Sequence, residues 1–431
     1  MNRYRSQKEQ RKRGIALPII IVIIMLLIGA LAYNNLINKA NTQETENAAD
    51  ASATAEVSAS ATATETPTPE PTPEPEPTVE PKVRRDAANI VADMTLEEKI
   101  YQLIFTTPES LTGIGTVVQA GAATKSALQA KPIGGIIYFS PNIKSREQIA
   151  EMIENSQNYS EIPLFIGIDE EGGRVTRISG NSNMGFEKIP AMATIGASED
   201  AGKAYDVGKQ LGGMVGGLGF NVDFAPVADI LTNPNNTEIG DRSFGKDPEI
   251  AAEMVKQVVL GLQESNVCAV LKHFPGHGST QANSHNGYSE SKRTLDEMRE
   301  AEFVPFLAGI EADADFVLVS HMSAVNVDPS GKPASLSKII ITDILKGELG
   351  YKGLVTTDSL SMGAITGRYS SGEAAVMAIE AGVDVLLIPA DLNAAYYGIN
   401  AAVSSGRITE ERIDESVIKI IDLKLNRGIM E

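Results

Sequence analysis

The chain of 431 residues carries 37 basic against 56 acidic side chains, a formal net charge of −19, which excludes a nucleic-acid surface because phosphate binding needs a cationic face. Its 42% hydrophobic content is enough for a large core, and its length fits two or three domains or a single α/β barrel with extensions. The one cysteine, Cys268, excludes an internal disulfide and any multi-cysteine metal site, and the absence of Trp excludes recognition through stacked tryptophans.

Residues 1–14 are a basic segment with Arg3, Arg5, Lys8, Arg11, Lys12 and Arg13. An uncharged run follows from Ile15 to Tyr33, roughly 28 Å long as a helix, which matches the hydrocarbon core of a bilayer. The run predicts a single transmembrane anchor, with the basic flank in the cytoplasm and the rest of the chain outside. Ala30-Leu31-Ala32 also has the small-x-small form of a signal-peptide cleavage site, which would instead give a secreted protein cut near Ala32. Residues 34–82 are rich in Ala, Thr, Glu and Pro, with alternating prolines from Pro67 to Pro77. Such a segment buries no apolar surface and reads as a disordered stalk.

From residue 83 to 431 the pattern becomes regular. Short apolar runs occur at Leu103–Phe105, Gly135–Phe139, Leu164–Ile168, Val222–Ala225, Ala269–Leu271, Phe316–Val319, Leu354–Val355 and Val385–Ile388. Helical stretches such as Glu147–Asn155, Ile250–Glu264 and Leu295–Ala308 lie between many of them. Eight strands alternating with helices predict a single (β/α)8 barrel of the TIM type. The alternative, a doubly wound open sheet, requires a glycine-rich turn after the first strand, and Leu103–Pro108 has none.

In a barrel, reactive groups sit where strands end. Here Ile168 is followed by Asp169, Leu271 by Lys272 and His273, Val319 by Ser320 and His321, and Val355 by Thr356, Thr357 and Asp358. A lone Asp there is ordinarily a helix cap, but four polar strand ends together point to a site. The densest is Lys272-His273-Phe274-Pro275-Gly276-His277-Gly278, leading into a polar loop, Ser279–Ser291, that carries Asn283-Ser284-His285. Pro275-Gly276 precludes the helix that would turn His273 and His277 to one metal, so neither metal nor cofactor is expected.

These residues resemble glycoside hydrolase family 3, in its bacterial β-N-acetylhexosaminidase branch, whose KHFPGHG…DSH signature is matched by Lys272–Gly278 and Asn283-Ser284-His285. Further blocks agree in order: Thr95–Ile100, Asp169–Val175, Asn221–Val227, Asp241–Gly245, Pro333–Ser337 and Thr357–Met362. The resemblance covers Ala88–Gly428.

The resemblance implies a retaining, exo-acting enzyme that removes terminal β-linked N-acetylglucosamine from oligosaccharides or muropeptides through a covalent glycosyl-enzyme. It implies Asp358 as nucleophile and His285 as the loop group that serves as acid and then base. It assigns Asp169, Arg177, Arg242, Lys272 and His273 to the sugar's hydroxyls, with His277 and Gly276 shaping the loop and His321 in support. The branch has Asp two residues before the acid histidine, where this chain has Asn283; an amide can orient the ring but adds no charge. The residues after Asp358 read as a helix (Gly372–Ile379), a strand and two closing helices, so the acid is expected from the barrel itself rather than from a second domain. Two other outcomes stay open: a catalytically weak, sugar-binding pseudoenzyme, and a β-glucosidase or phosphorylase on the same barrel.

Overall fold

The computed structural model divides the chain into Met1–Glu80 and Pro81–Glu431 and describes residues 86–280 and 289–431. The basic segment, the apolar run 15–33, the stalk 34–82 and the pair Asn283 and His285 lie outside the described residues. Among the described residues no helix is long and apolar enough to cross a membrane.

Eight strands make one parallel sheet. They are β1 (Ile104–Thr106), β2 (Gly135–Ile137), β3 (Phe165–Ile168), β4 (Val222–Asp223), β5 (Cys268–Phe274), β7 (Phe316–Val319), β9 (Leu354–Thr357) and β10 (Leu386–Leu387). Two further short strands, β6 (Glu290–Ser291) and β8 (Ser323–Ala324), form a separate parallel pair. Each barrel strand coincides with one of the eight apolar runs, because strands covered on both faces tolerate few polar residues. The first strand pairs with the last, Ile104 opposite Leu386. A bridge between Thr356 and Val385, with the Thr357 N–H donating to the Val385 carbonyl at 3.1 Å, joins β9 to β10 and closes the sheet. The result is the mixed α/β barrel that the strand count predicts.

Helix starts follow local chemistry. Thr95 and Glu98 form a reciprocal capping box at Leu96–Gln102, and Asp247 caps Pro248–Glu264 with proline in the first turn, where its missing N–H costs nothing. One expectation fails: Leu295–Ala308 is two helices, Leu295–Glu300 and Phe303–Glu311. Pro305 explains the break, since its ring opposes the carbonyl four residues earlier, at Ala301, and it donates no hydrogen bond there.

The N-terminal end of the barrel is packed by Phe105, Phe165 and Phe316, with ring centroids 5.4–6.3 Å apart. Lys424, from the last helix Glu410–Asn426, reaches into this layer. Its Nζ stands 5.2 Å from the Phe165 ring and donates to Gln102 Oε1 at 2.7 Å.

Candidate active site

A cavity of about 490 Å³ opens at the C-terminal ends of the strands. It is lined by Asp169, Arg177, Arg242, Lys272, His273 and Asp358 together with Ile137, Phe224 and Leu318. Asp169 follows β3 and Asp358 follows β9, while Lys272 and His273 are neighbours on β5. Successive residues of a strand ordinarily point to opposite faces. Here the register between β5 and β7 slips at His273, with Lys272 opposite Leu318 but Phe274 opposite Val319. The extra residue lets both side chains line the cavity, the re-aiming that bulges supply beside active sites.

The charged groups form one connected network. Lys272 Nζ donates to Asp169 Oδ1 at 2.8 Å and pairs with Glu171 Oε1 at 2.6 Å. Glu171 is also gripped by Arg242 through two parallel bonds of 2.7 Å, the strong bidentate arrangement. Arg177 Nη2 lies 3.6 Å from Asp169 Oδ2. Burial alone would raise the Glu171 carboxyl, but Lys272 and Arg242 outweigh it and hold the group below the ordinary carboxylate range. Burial likewise opposes the charge of Lys272, yet Asp169 and Glu171 raise its pKa. Glu171 and Lys272 therefore stay ionised, and the network offers both donors and acceptors to a polyol.

Two buried carboxyl groups hold this network in place. Glu170 accepts from the backbone N–H groups of Arg177, Ile178 and Ser179 at 2.6, 2.7 and 3.1 Å and from the Ser179 hydroxyl at 2.6 Å, fixing the loop that carries Asp169, Glu171 and Arg177. Asp223 Oδ1 in turn accepts the Glu170 N–H at 2.9 Å. The other Asp223 oxygen is buried and has no hydrogen-bond partner among the described residues, and burial pushes this carboxyl well above its usual value.

The opposite wall is Asp358. Its backbone N–H donates to Val319 O at 2.9 Å, and its Oδ1 accepts the Ser359 N–H at 2.7 Å. It caps no helix: the next one, Gly363–Thr366, is preceded by Met362. Wholly buried His321 supports this turn, with Nδ1 2.7 Å from Ser335 Oγ and Nε2 2.8 Å from Ser359 O. His277 is also buried, with Nδ1 3.0 Å from Thr280 Oγ1, and burial depresses its pKa. Among the described residues no group of three or more His, Cys, Asp or Glu is arranged to hold a metal.

Residues 95–423 match the glycosyl hydrolase family 3 N-terminal domain. The chain belongs to that family. It is 32% identical over 313 residues to a beta-hexosaminidase of Idiomarina loihiensis, covering 70% of this chain and 92% of the relative. It is 31% identical over 317 residues to beta-hexosaminidase A of Pseudoalteromonas piscicida, covering 68% of this chain and 53% of that one. Among solved structures it is similar to a family 3 beta-N-acetylglucosaminidase from Paenibacillus sp. str. FPU-7, with TM-score 0.72 and 38% identity over 78% of this chain and 63% of that chain. A beta-N-acetylhexosaminidase from Beutenbergia cavernae gives TM-score 0.69 and 28% identity, covering 78% of this chain and 99% of that one. The chain thus spans about half the length of the Pseudoalteromonas piscicida relative and nearly all of the Idiomarina and Beutenbergia ones.

Within this family 3 barrel, six of the eight residues read from the sequence as site residues share the one cavity, and the other two, Asn283 and His285, lie outside the described residues. The stems of their loop are more ordered than the sequence suggests: His277–Ser279 is a 3-10 turn and Glu290–Ser291 a strand, and Ser279 Oγ meets Ser291 Oγ at 2.9 Å. Sequence reasoning missed Glu170, Glu171 and Asp229. Glu170 and Glu171 at least adjoin Asp169 at a polar strand end. Asp229 had no local signal.

Proposed function

We propose that this family 3 enzyme is a retaining, exo-acting β-N-acetylhexosaminidase that hydrolyses terminal β-linked N-acetylglucosamine. The observation that carries this reading is the placement of Asp358 in the same cavity as the charged network around Asp169, Arg242 and Lys272. Hydroxyls of the terminal sugar donate to Asp169 and accept from Lys272 and the arginines, which leaves the anomeric carbon to face Asp358. The Asp358 carboxylate attacks that carbon as the glycosidic bond breaks, and His285 gives a proton to the departing oxygen. His285 then takes a proton from a water whose oxygen attacks the anomeric carbon, and the bond to Asp358 breaks, releasing the sugar and the free Asp358 carboxylate. Because a barrel interior is packed with side chains, the cavity has a floor, and a pocket with a floor suits a chain end.

Muropeptides and related amino-sugar oligosaccharides are the proposed substrates. The proposed setting is the outer face of the cell membrane, with residues 15–33 as a single-pass anchor and residues 34–82 as the stalk. The supports are the basic flank, the length of the apolar run and the composition of the stalk. Incubation with a chromogenic N-acetyl-β-glucosaminide, with and without phosphate, tests the reaction. Release of free N-acetylglucosamine at a rate indifferent to phosphate is expected. A sugar phosphate as product would make the enzyme a phosphorylase, and no turnover would make it a binding protein.

A further inference from the structure

Asp229 lies behind the cavity wall, 1% exposed, and gathers three N–H groups from one short segment. Its Oδ2 accepts from the His273 backbone N–H at 3.1 Å and stands 2.7 Å from His273 Nδ1. Its Oδ1 accepts from the His277 backbone N–H at 2.5 Å. On the far side of the same imidazole, Nε2 is 3.3 Å from Arg242 Nη2. An ionised carboxylate only accepts and a guanidinium only donates. Both contacts therefore demand one form of the ring, with the proton on Nδ1 and a bare lone pair on Nε2. Although burial would raise the Asp229 carboxyl, the N–H groups of His273 and His277 that it accepts from favour its ionised form.

We propose that Asp229 is a positioning residue for sugar binding: by holding the His273 proton on Nδ1, it keeps Nε2 an acceptor for Arg242 and so sets the orientation of that guanidinium in the cavity. The opposite tautomer would place an N–H against an Arg N–H and turn Arg242 from the sugar. Arg242 is then held from two sides, by Glu171 through Nε and Nη2 and by His273 through Nη2. The inference rests on reading the cavity as the sugar site, but the tautomer can be read with no sugar present.

The test is long-range 1H–15N correlation on the full-length protein labelled with 15N-histidine, with His273 assigned by difference from a His273→Gln variant. With four histidines in the chain the spectrum is simple. At neutral pH His273 is expected to show a protonated Nδ1 and an unprotonated Nε2. In the Asp229→Asn variant its tautomer is expected to change, with KM for the chromogenic substrate rising about tenfold or more, the scale of one lost charge-assisted hydrogen bond, and kcat falling less. A purely structural anchor would lower stability without moving the His273 spectrum. Protonated Nε2 in the native protein would overturn the proposal, as would an Asp229→Asn variant with tautomer and KM unchanged. If that variant fails to fold, the native spectrum alone decides. Nδ1–H with no glycosidase activity would leave the tautomer standing and refute the reading of the cavity.

Discussion

Asp358 and Glu171 are both carboxylates at the mouth of the barrel, and their surroundings divide their work. Glu171 is enclosed by two cations and is fully engaged, whereas Asp358 borders the open cavity. Replacing Asp358 by Ala should lower turnover by about 10⁴-fold or more, the scale on which single members of a catalytic unit act. A slow fluorinated substrate should label Asp358 in a peptide digest, and a label on Asp169 or Asp223 would displace it as nucleophile. Glu171→Gln should leave Lys272 and Arg242 without their shared counter-charge, at a cost of about 3–5 kcal/mol in unfolding free energy, read by urea denaturation. Asn283 stands where the branch has an acid, so Asn283→Asp should raise kcat about tenfold, roughly 1.4 kcal/mol in the barrier, most visibly on substrates with poor leaving groups. Single residues were unevenly legible. Asp169, Lys272, His273 and Asp358 announce themselves as polar groups that end apolar runs, and Arg177 and Arg242 emerged only through resemblance. Asp229 and Glu171 act on other side chains 44 and 71 positions away, and a carboxylate whose partners are so distant looks in sequence like any surface acid.

At the level of elements, strands were easier to read than their termini. A run such as Phe316–Val319 is apolar because both its faces are covered, so composition alone reveals it. The stem after the loop was opaque because β6 is two polar residues, held by a partner strand, β8, distant in sequence. Gly278 shows how tightly one stem is seated: a Cβ there would stand 1.8 Å from the Ile230 carbonyl oxygen. Gly278→Ala should therefore move the turn that precedes the His285 loop and cost about 1–3 kcal/mol. Activity should fall with it, while a Gly213→Ala control on the exposed face of the helix Ala201–Gly216, where a Cβ meets nothing within 4 Å, should leave activity intact.

For the molecule as a whole, Lys424 makes stability depend on pH. Burial pulls its ammonium down to about 7, against about 10.4 in an unfolded chain. Between these values the unfolded state binds the extra proton, so stability rises with pH from about 7 to about 10 and this group adds no slope below 7. The contribution is close to 1.4 kcal/mol per pH unit within that window. Lys424→Met should remove that slope from the urea midpoint, and an unchanged slope would mean that the amine is charged in the folded protein.

The pairing of Ile104 with Leu386 also has a consequence for the order of events during synthesis. The first barrel strand leaves the ribosome early, and its outer partner leaves near the end. Until Leu386 arrives, β1 keeps a bare row of backbone donors and acceptors on one side, and the helix that brings Lys424 beneath it is still later. Cooperative folding must wait for almost the full chain, which makes this a slow, non-local topology whose exposed edge invites aggregation in the interval. If the barrel is exported as proposed, translocation can finish before folding begins, and the nascent protein reaches its destination as an open chain in need of a holding chaperone. A chain that stops before Glu410 should remain sensitive to protease throughout the barrel, rather than merely at its frayed end.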